Sequence, residues 1–383
     1  MRAAFYSKST EAKTAFFQRF LAESAANVAI FVYPKNRKKE ITIPSCPGRS
    51  VFPITYEDLT KTKEWLHVNS LVGTSTALLL DNPSRYAKIT SPKVAALQRL
   101  EKGLQIKAIA DIVPFTMDVQ YFYTPMSLLG RDILGYPHYY AFRENYHERD
   151  ESGRVRNSHD FDVLVPKIAT VGSIDYGQFL VTQPRQIIEH DCTAAEIAQY
   201  TAARDALFES EEFSPQVAIT KLADLSHSFD SRIEALLEVL SQCQGRTVVY
   251  CNLSSYAKRA QSAAKKAGHK TVVATSYQVG ASGDFDNCIY LESPIVKGYL
   301  LLDAESRLPQ HCQVYHIVGS AKVDRYLFGL SQHETTQINE FTKELSRVSG
   351  AKARAENLSA KKCIGDGTGA NQLDIFKLQK CLC

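Results

Sequence analysis

The chain has 383 residues, 44% hydrophobic and 22% charged, enough for two or three domains with ordinary cores. Its net charge of +4, from 45 basic and 41 acidic side chains, excludes a strongly basic architectural protein and is compatible with a nucleic-acid partner. The nine cysteines include no CxxC pair, which argues against a zinc ribbon or thioredoxin-type site. No apolar run reaches the ~18 residues of a membrane span. The first residues, MRAAFYSKST, lack the apolar core of a signal peptide. Cysteines such as Cys251 and Cys288 sit in strand-like runs, which points to a reduced, intracellular protein.

In chain order, Ala3 to Tyr6 reads as a strand and Lys13 to Ala25 as a helix with Phe16, Phe17, Phe20 and Leu21 on one face. Val28 to Tyr33 and Ala77 to Leu80 are further apolar strands. His147 to Asp160 is polar and reads as an exposed loop. Ile187 to Tyr200 and Ala202 to Phe208 read as a connector, and Arg232 to Leu240 as an amphipathic helix. The strand-helix rhythm then restarts. Strands are predicted at Thr247 to Cys251, Thr271 to Ala274, Ile289 to Leu291 and Val314 to Val318, with a helix at Tyr256 to Ala267 and a closing helix at Asn339 to Val348. This alternation predicts α/β lobes with parallel sheets. The expected divisions are a first lobe over 1–165, connecting and bridging helices over 166–240, a second lobe over 241–350 and a loose tail over 351–383.

The strongest chemical signal is at the front. Ser7-Lys-Ser-Thr-Glu-Ala12-Lys13-Thr14 has the spacing of GxxxxGK[ST], with Ser7 and Ala12 where the glycines would stand. Such a loop cradles phosphates on backbone N–H groups at a helix N-terminus. Its lysine supplies a cation and its Ser/Thr hydroxyl ligates Mg²⁺. Lys13 and Thr14 are the residue types for those roles; an ordinary helix start is the other reading. Asp81 ends an apolar strand, where an acid can hold Mg²⁺ through water. Asn82 follows it, where a water-activating glutamate is needed, and an amide is no general base. Capping of a turn before Pro83 is the alternative for Asp81. His138, His147 and His159 show no nucleophile–base pairing.

Further segments fall in a recognisable order: VAIFVYPK at Val28 to Lys35, Ile54-Thr-Tyr-Glu57, KITSPKVAAL at Lys88 to Leu97, EHDCTAAEIAQY at Glu189 to Tyr200, His227 with Ser231-Arg232, RTVVYCN at Arg246 to Asn252, the Gly280- and Gly283-bearing run from Ala274 to Asp286, CIYLESP at Cys288 to Pro294, and Glu305-Ser-Arg307-Leu-Pro-Gln310 before Gln313 to Val318. Over roughly residues 1 to 345 the series resembles superfamily 2 helicases of the Swi/Snf-type branch. Val113-Pro-Phe-Thr116 stands where that family has its threonine-rich motif, and Pro309 where it has a glycine.

The resemblance implies two tandem RecA-like (P-loop NTPase) parallel-sheet lobes with a cleft between them. ATP and Mg²⁺ would lie there on Ser7, Ala12, Lys13 and Thr14, with Thr14 and Asp81 on the metal and Arg307 reaching the γ-phosphate. A nucleic-acid backbone, DNA rather than RNA, would contact Lys35, Thr275 and Ser276. Lys258, Arg259, Lys265 and Lys266 share one helix and read as a solvated face. Two functions remain open. One is a working ATPase, translocase or helicase; the other is an inactive descendant kept as a binding module. The surviving polar positions predict nucleotide binding with slow or conditional hydrolysis. The chain begins at the loop's own strand, so no accessory domain is expected before it. Minimal helicase cores of the type it resembles are frequent in viruses and mobile elements, so the resemblance implies a viral or phage replication setting, the host cytoplasm or the nucleus, and a replication-protein partner.

Overall fold

The computed structural model describes residues 1–348 except 8, 36–40, 87, 89, 113–118, 150–154, 159–160, 176–184, 210–214, 278, 282, 294–300, 302–303, 306–307, 310, 333–335, 337–339 and 342. The strands are β1 (Arg2–Tyr6), β2 (Val28–Tyr33), β3 (Ser50–Thr55), β4 (Thr76–Asp81), β5 (Ile106–Asp111), β6 (His147–Arg149), β7 (Val155–Ser158), β8 (Gly172–Ile174), β9 (Arg185–His190), β10 (Thr247–Cys251), β11 (Val272–Ser276), β12 (Asn287–Tyr290) and β13 (Gln313–Gly319). They form a six-stranded sheet, β3-β2-β4-β5-β1-β8, and a five-stranded sheet, β11-β10-β12-β13-β9. Every pairing in both sheets is parallel. This is the two-lobed α/β architecture expected from the alternation.

Helices cover both faces of the first sheet, as a buried parallel sheet requires. The helix α1 (Thr10–Glu23) lays Phe17, Phe20 and Leu21 against Ala29, Phe31, Ala77, Leu79, Ala108 and Ala110. The alternate strand residues Ile30, Val32, Leu78 and Leu80 face the other way. They meet α2 (Thr62–Ser70), α3 (Pro92–Glu101), α4 (Val119–Leu129), α5 (Arg131–Leu134), α6 (Tyr139–Tyr146) and α7 (Phe161–Ala169). In the second unit come α8 (Ala194–Phe208), α9 (Pro215–His227), α10 (Asp230–Gln242) and α11 (Ser254–Lys266). There α10 and α11 bury Ala235, Leu236, Val239, Ala257, Ala260 and Ala264 against Val249, Ile289 and Ile317. Among the described residues no helix is long and apolar enough to cross a membrane.

Three expectations are corrected. The span 166–240 carries the expected helices α8, α9 and most of α10 but is not only a connector: β8 pairs with β1 in the first sheet, whereas β9 pairs with β13 in the second. As an edge strand β9 is half exposed, which hides it as a strand in sequence. The stretch 147–160 is not a plain loop, because β6 and β7 pair antiparallel. The closing helix does not belong to the second lobe, since Phe341 and Leu345 are fully buried in the core of the first unit. The tail at 351–383 lies outside the described residues.

Candidate phosphate site

The chain leaves β1 toward β2 on one side and later adds β8 on the other. Such a switch point opens a crevice at the carboxyl ends of the strands. β5 separates β1 from β4, so the segment after β1 faces Asp81 across the end of β5, where Asp111 stands.

Only residues 7–9 separate β1 from α1. Residues 10–12, which a GxxxxGK loop would wrap around phosphates, are instead the first turn of the helix. Ser9 is its N-cap, with its side chain accepting from the Ala12 N–H at 3.1 Å. The Lys13 N–H donates to the Ser9 carbonyl at 3.2 Å and the Ser9 N–H to Ser7 Oγ at 3.1 Å. Ser7 is fully buried and donates through its hydroxyl to Asp175 at 3.1 Å. Amides that a phosphate would need are thus used within the turn. The helix starts early because Ser9 is a strong cap, while Ser7 and Ala12 lack the glycine freedom to hold an open loop. Ser9→Ala is expected to destabilise the first unit by about 1 kcal/mol, read from urea unfolding followed by the fluorescence of the single tryptophan, Trp65.

Lys13 is buried, 1% exposed. Its ammonium donates to Asp81 Oδ1 at 2.9 Å and to Asn82 Oδ1 at 2.7 Å, and Asn82 Nδ2 donates to Asp81 Oδ2 at 3.2 Å. The three side chains close a ring. Asn82 sits at φ 48 with its N–H on the Ala110 carbonyl at 2.7 Å. Asparagine tolerates that left-handed backbone better than most side chains, so Asn82 suits the turn. Asp111 accepts from the Ser84 N–H (2.9 Å) and hydroxyl (2.8 Å) and from the Ile112 N–H (2.8 Å). Burial pushes its carboxyl up to about 6, opposed by those bonds and by the charge of Lys13. Tyr56 donates to the Asp81 carbonyl at 3.0 Å and stacks on Tyr86 at 4.5 Å.

The expected site residues divide. Ser7, Ala12, Lys13 and Asp81 come together, but in a closed arrangement. The Thr14 hydroxyl donates to the Thr10 carbonyl at 3.0 Å, a bond within its own helix. A Mg²⁺–ATP in the GxxxxGK manner does not fit these residues as they stand: the Ser9, Ala12 and Lys13 amides, the Lys13 ammonium and the Thr14 hydroxyl already have partners within the chain. Arg307 and Val113 to Thr116 lie outside the described residues.

Lys35 is exposed just beyond β2. Thr275 and Ser276 are buried: Thr275 Oγ1 donates to the Gly280 carbonyl at 3.0 Å and the Gly280 N–H returns to the Ser276 carbonyl at 2.8 Å. Their hydroxyls face a turn, which corrects their assignment as backbone contacts. Lys258, Lys265 and Lys266 are exposed, while Arg259 pairs with Asp230 and bonds the Ser228 carbonyl. His138 accepts the Ala141 N–H at 3.2 Å, a helix-end role. Ser9, Ser84, Asp111 and Asp175 were missed. Asp111 carried the same mark as Asp81, an acid closing an apolar strand, but Lys107 breaks that run.

No protein-family model matches the chain, and no curated protein matches it. Among solved structures it is similar to the Sulfolobus solfataricus SWI2/SNF2 ATPase core in complex with dsDNA, at 11% identity and TM-score 0.38, covering 91% of this chain and 90% of that one. It is also similar to the Pyrococcus furiosus Hef helicase domain, at 9% identity and TM-score 0.44, covering 86% and 95%. The chain's own sheets define its class: a tandem parallel-sheet α/β protein with a buried Lys13–Asp81–Asn82 ring at the first switch point.

Proposed function

We propose that this chain is a helicase-like body that binds a nucleic-acid backbone without turning over ATP. The Lys13–Asp81–Asn82 ring carries the reading: the lysine that should hold phosphate is held by the chain's own acid and amide. Asn82 offers no general base, and the short capped turn offers no open cradle. The sequence resemblance to superfamily 2 helicases supports the nucleic-acid part. So does the exposed Lys35, which suits a sequence-independent phosphate contact. The preference for DNA, the viral or phage replication setting and a replication-protein partner rest on that resemblance alone.

The test pairs two measurements on the full chain. Duplex DNA binding by fluorescence anisotropy is expected to weaken steeply with salt. Phosphate release from Mg²⁺–ATP is expected to stay at background with or without DNA, and Mg²⁺–ATP to leave the thermal midpoint unmoved. DNA-stimulated release that disappears in Arg307→Ala would establish the working ATPase instead. Absence of DNA binding at low salt would remove the nucleic-acid reading.

A further inference from the structure

A second polar cluster lies in the other unit, where the carboxyl ends of β9, β10, β12 and β13 meet α9, α10 and helical residues 322–332. Arg232 of α10, 1% exposed, pairs with Asp324 and donates to the Leu291 carbonyl at 2.8 Å. His227, the last residue of α9, has Nε2 at 3.6 Å from Asp324 Oδ1 and Nδ1 at 3.8 Å from Glu292 Oε2. Glu292, just past β12, is fully buried; its Oε2 accepts the Asn252 N–H at 2.6 Å. Among the described residues Glu292 Oε1, His227 Nδ1, Arg232 Nε and both His190 ring nitrogens lack hydrogen-bond partners. A Cβ added at Gly319 would lie 2.3 Å from Asp324, 3.0 Å from Arg232 and 3.1 Å from His190. The cluster is therefore packed tight, with charge inside it rather than room for a ligand.

We propose that this cluster is a proton-operated latch: with Glu292 protonated it pins α9 and the start of α10 to the second sheet, and loss of that proton to solvent loosens them. The charge count supports it. Arg232 and Asp324 cancel, so a neutral cluster needs a neutral Glu292 beside a neutral His227, or both charged. Ionised Glu292 beside neutral His227 leaves one unbalanced buried charge, which a dry interior penalises heavily. Burial pushes the Glu292 carboxyl up to about 7 and holds the His227 imidazole well below its usual range. The remaining titratable groups around Glu292 are Cys251 of β10, Tyr256 of α11 and Tyr277 after β11. All three are shifted upward by burial, which keeps them from adding negative charge, and a thiol or phenol cannot supply a compensating cation. His190, at the end of β9, is lowered by burial and by Arg232.

The sign follows from linkage. A carboxyl whose folded value is raised stabilises fully below its unfolded value, and that contribution is lost as pH rises through about 7. His227 acts oppositely, its stabilisation lost as pH falls below the ordinary imidazole range. A comparison with Glu292→Gln therefore isolates the latch. Hydrogen exchange of the full chain at pH 6 and pH 8, corrected for intrinsic rates, should show amide protection in α9 falling about tenfold in the parent relative to Glu292→Gln. The β2 amides of the first unit should show no such difference. An equal change in parent and variant, or none in the parent, overturns the proposal. Glu292→Met, of similar volume and without a charge, gives the same comparison should the glutamine variant not fold.

Discussion

Asp324→Ala is expected to destabilise the second unit by about 3–5 kcal/mol, because it strands Arg232 as a buried, unpaired charge. Arg232 reaches across to the Leu291 carbonyl and Asp324 also lies beside His227, so the loss spreads to the ends of α9, α10 and β12. Urea unfolding followed by far-ultraviolet circular dichroism measures it. Trp65, in α2 of the first unit, should report a smaller change in the same samples. The double variant Arg232→Met with Asp324→Asn should recover most of the loss, since an uncharged pair of similar volume avoids the desolvation of both charges. Equal losses in the single and double variants would show that packing, not charge, sets the cost.

Lys13→Met is expected to cost the first unit about 3–5 kcal/mol with no nucleotide present, because Asp81 is left buried beside Asn82 without its cation. Trp65 fluorescence in urea reads this directly, and adding Asp81→Asn should return much of it by removing the stranded charge. The prediction separates two reasons for keeping a lysine. A lysine kept to hold phosphate could be replaced at little cost to the empty protein; one built into a closed ring could not. Lys13→Met with unchanged stability would reopen the case for a phosphate site.

The two sites share a design. Each lies at the carboxyl edge of a parallel sheet, and each buries a cation against an acid from another element. In the first, the sequence spacing of a phosphate loop persists while the geometry has become that of a capped helix. Four residue types at the right spacing were legible in the sequence; how their hydrogen bonds are shared was not, because Ser9 as a helix cap and Ser9 as a loop residue are the same letter.

By itself the sequence determined the alternation of strands and helices. Val28–Tyr33, Thr76–Asp81 and Thr247–Cys251 are continuous apolar runs because both faces of their sheets are covered. It also marked Lys13, Asp81 and Asn82 as the residues to watch. Tertiary structure alone decided the strands whose composition is mixed. β3 contains Pro53, tolerated because β3 is an edge strand; β5 contains Lys107, which pairs with Glu101 at 2.5 Å; β9 is an exposed edge. It alone returned Phe341 and Leu345 to the first core and gathered His190, His227, Arg232, Glu292 and Asp324 into one cluster. Those five residues span more than a hundred positions of chain. Their meeting follows from where parallel strands end, which no local periodicity records.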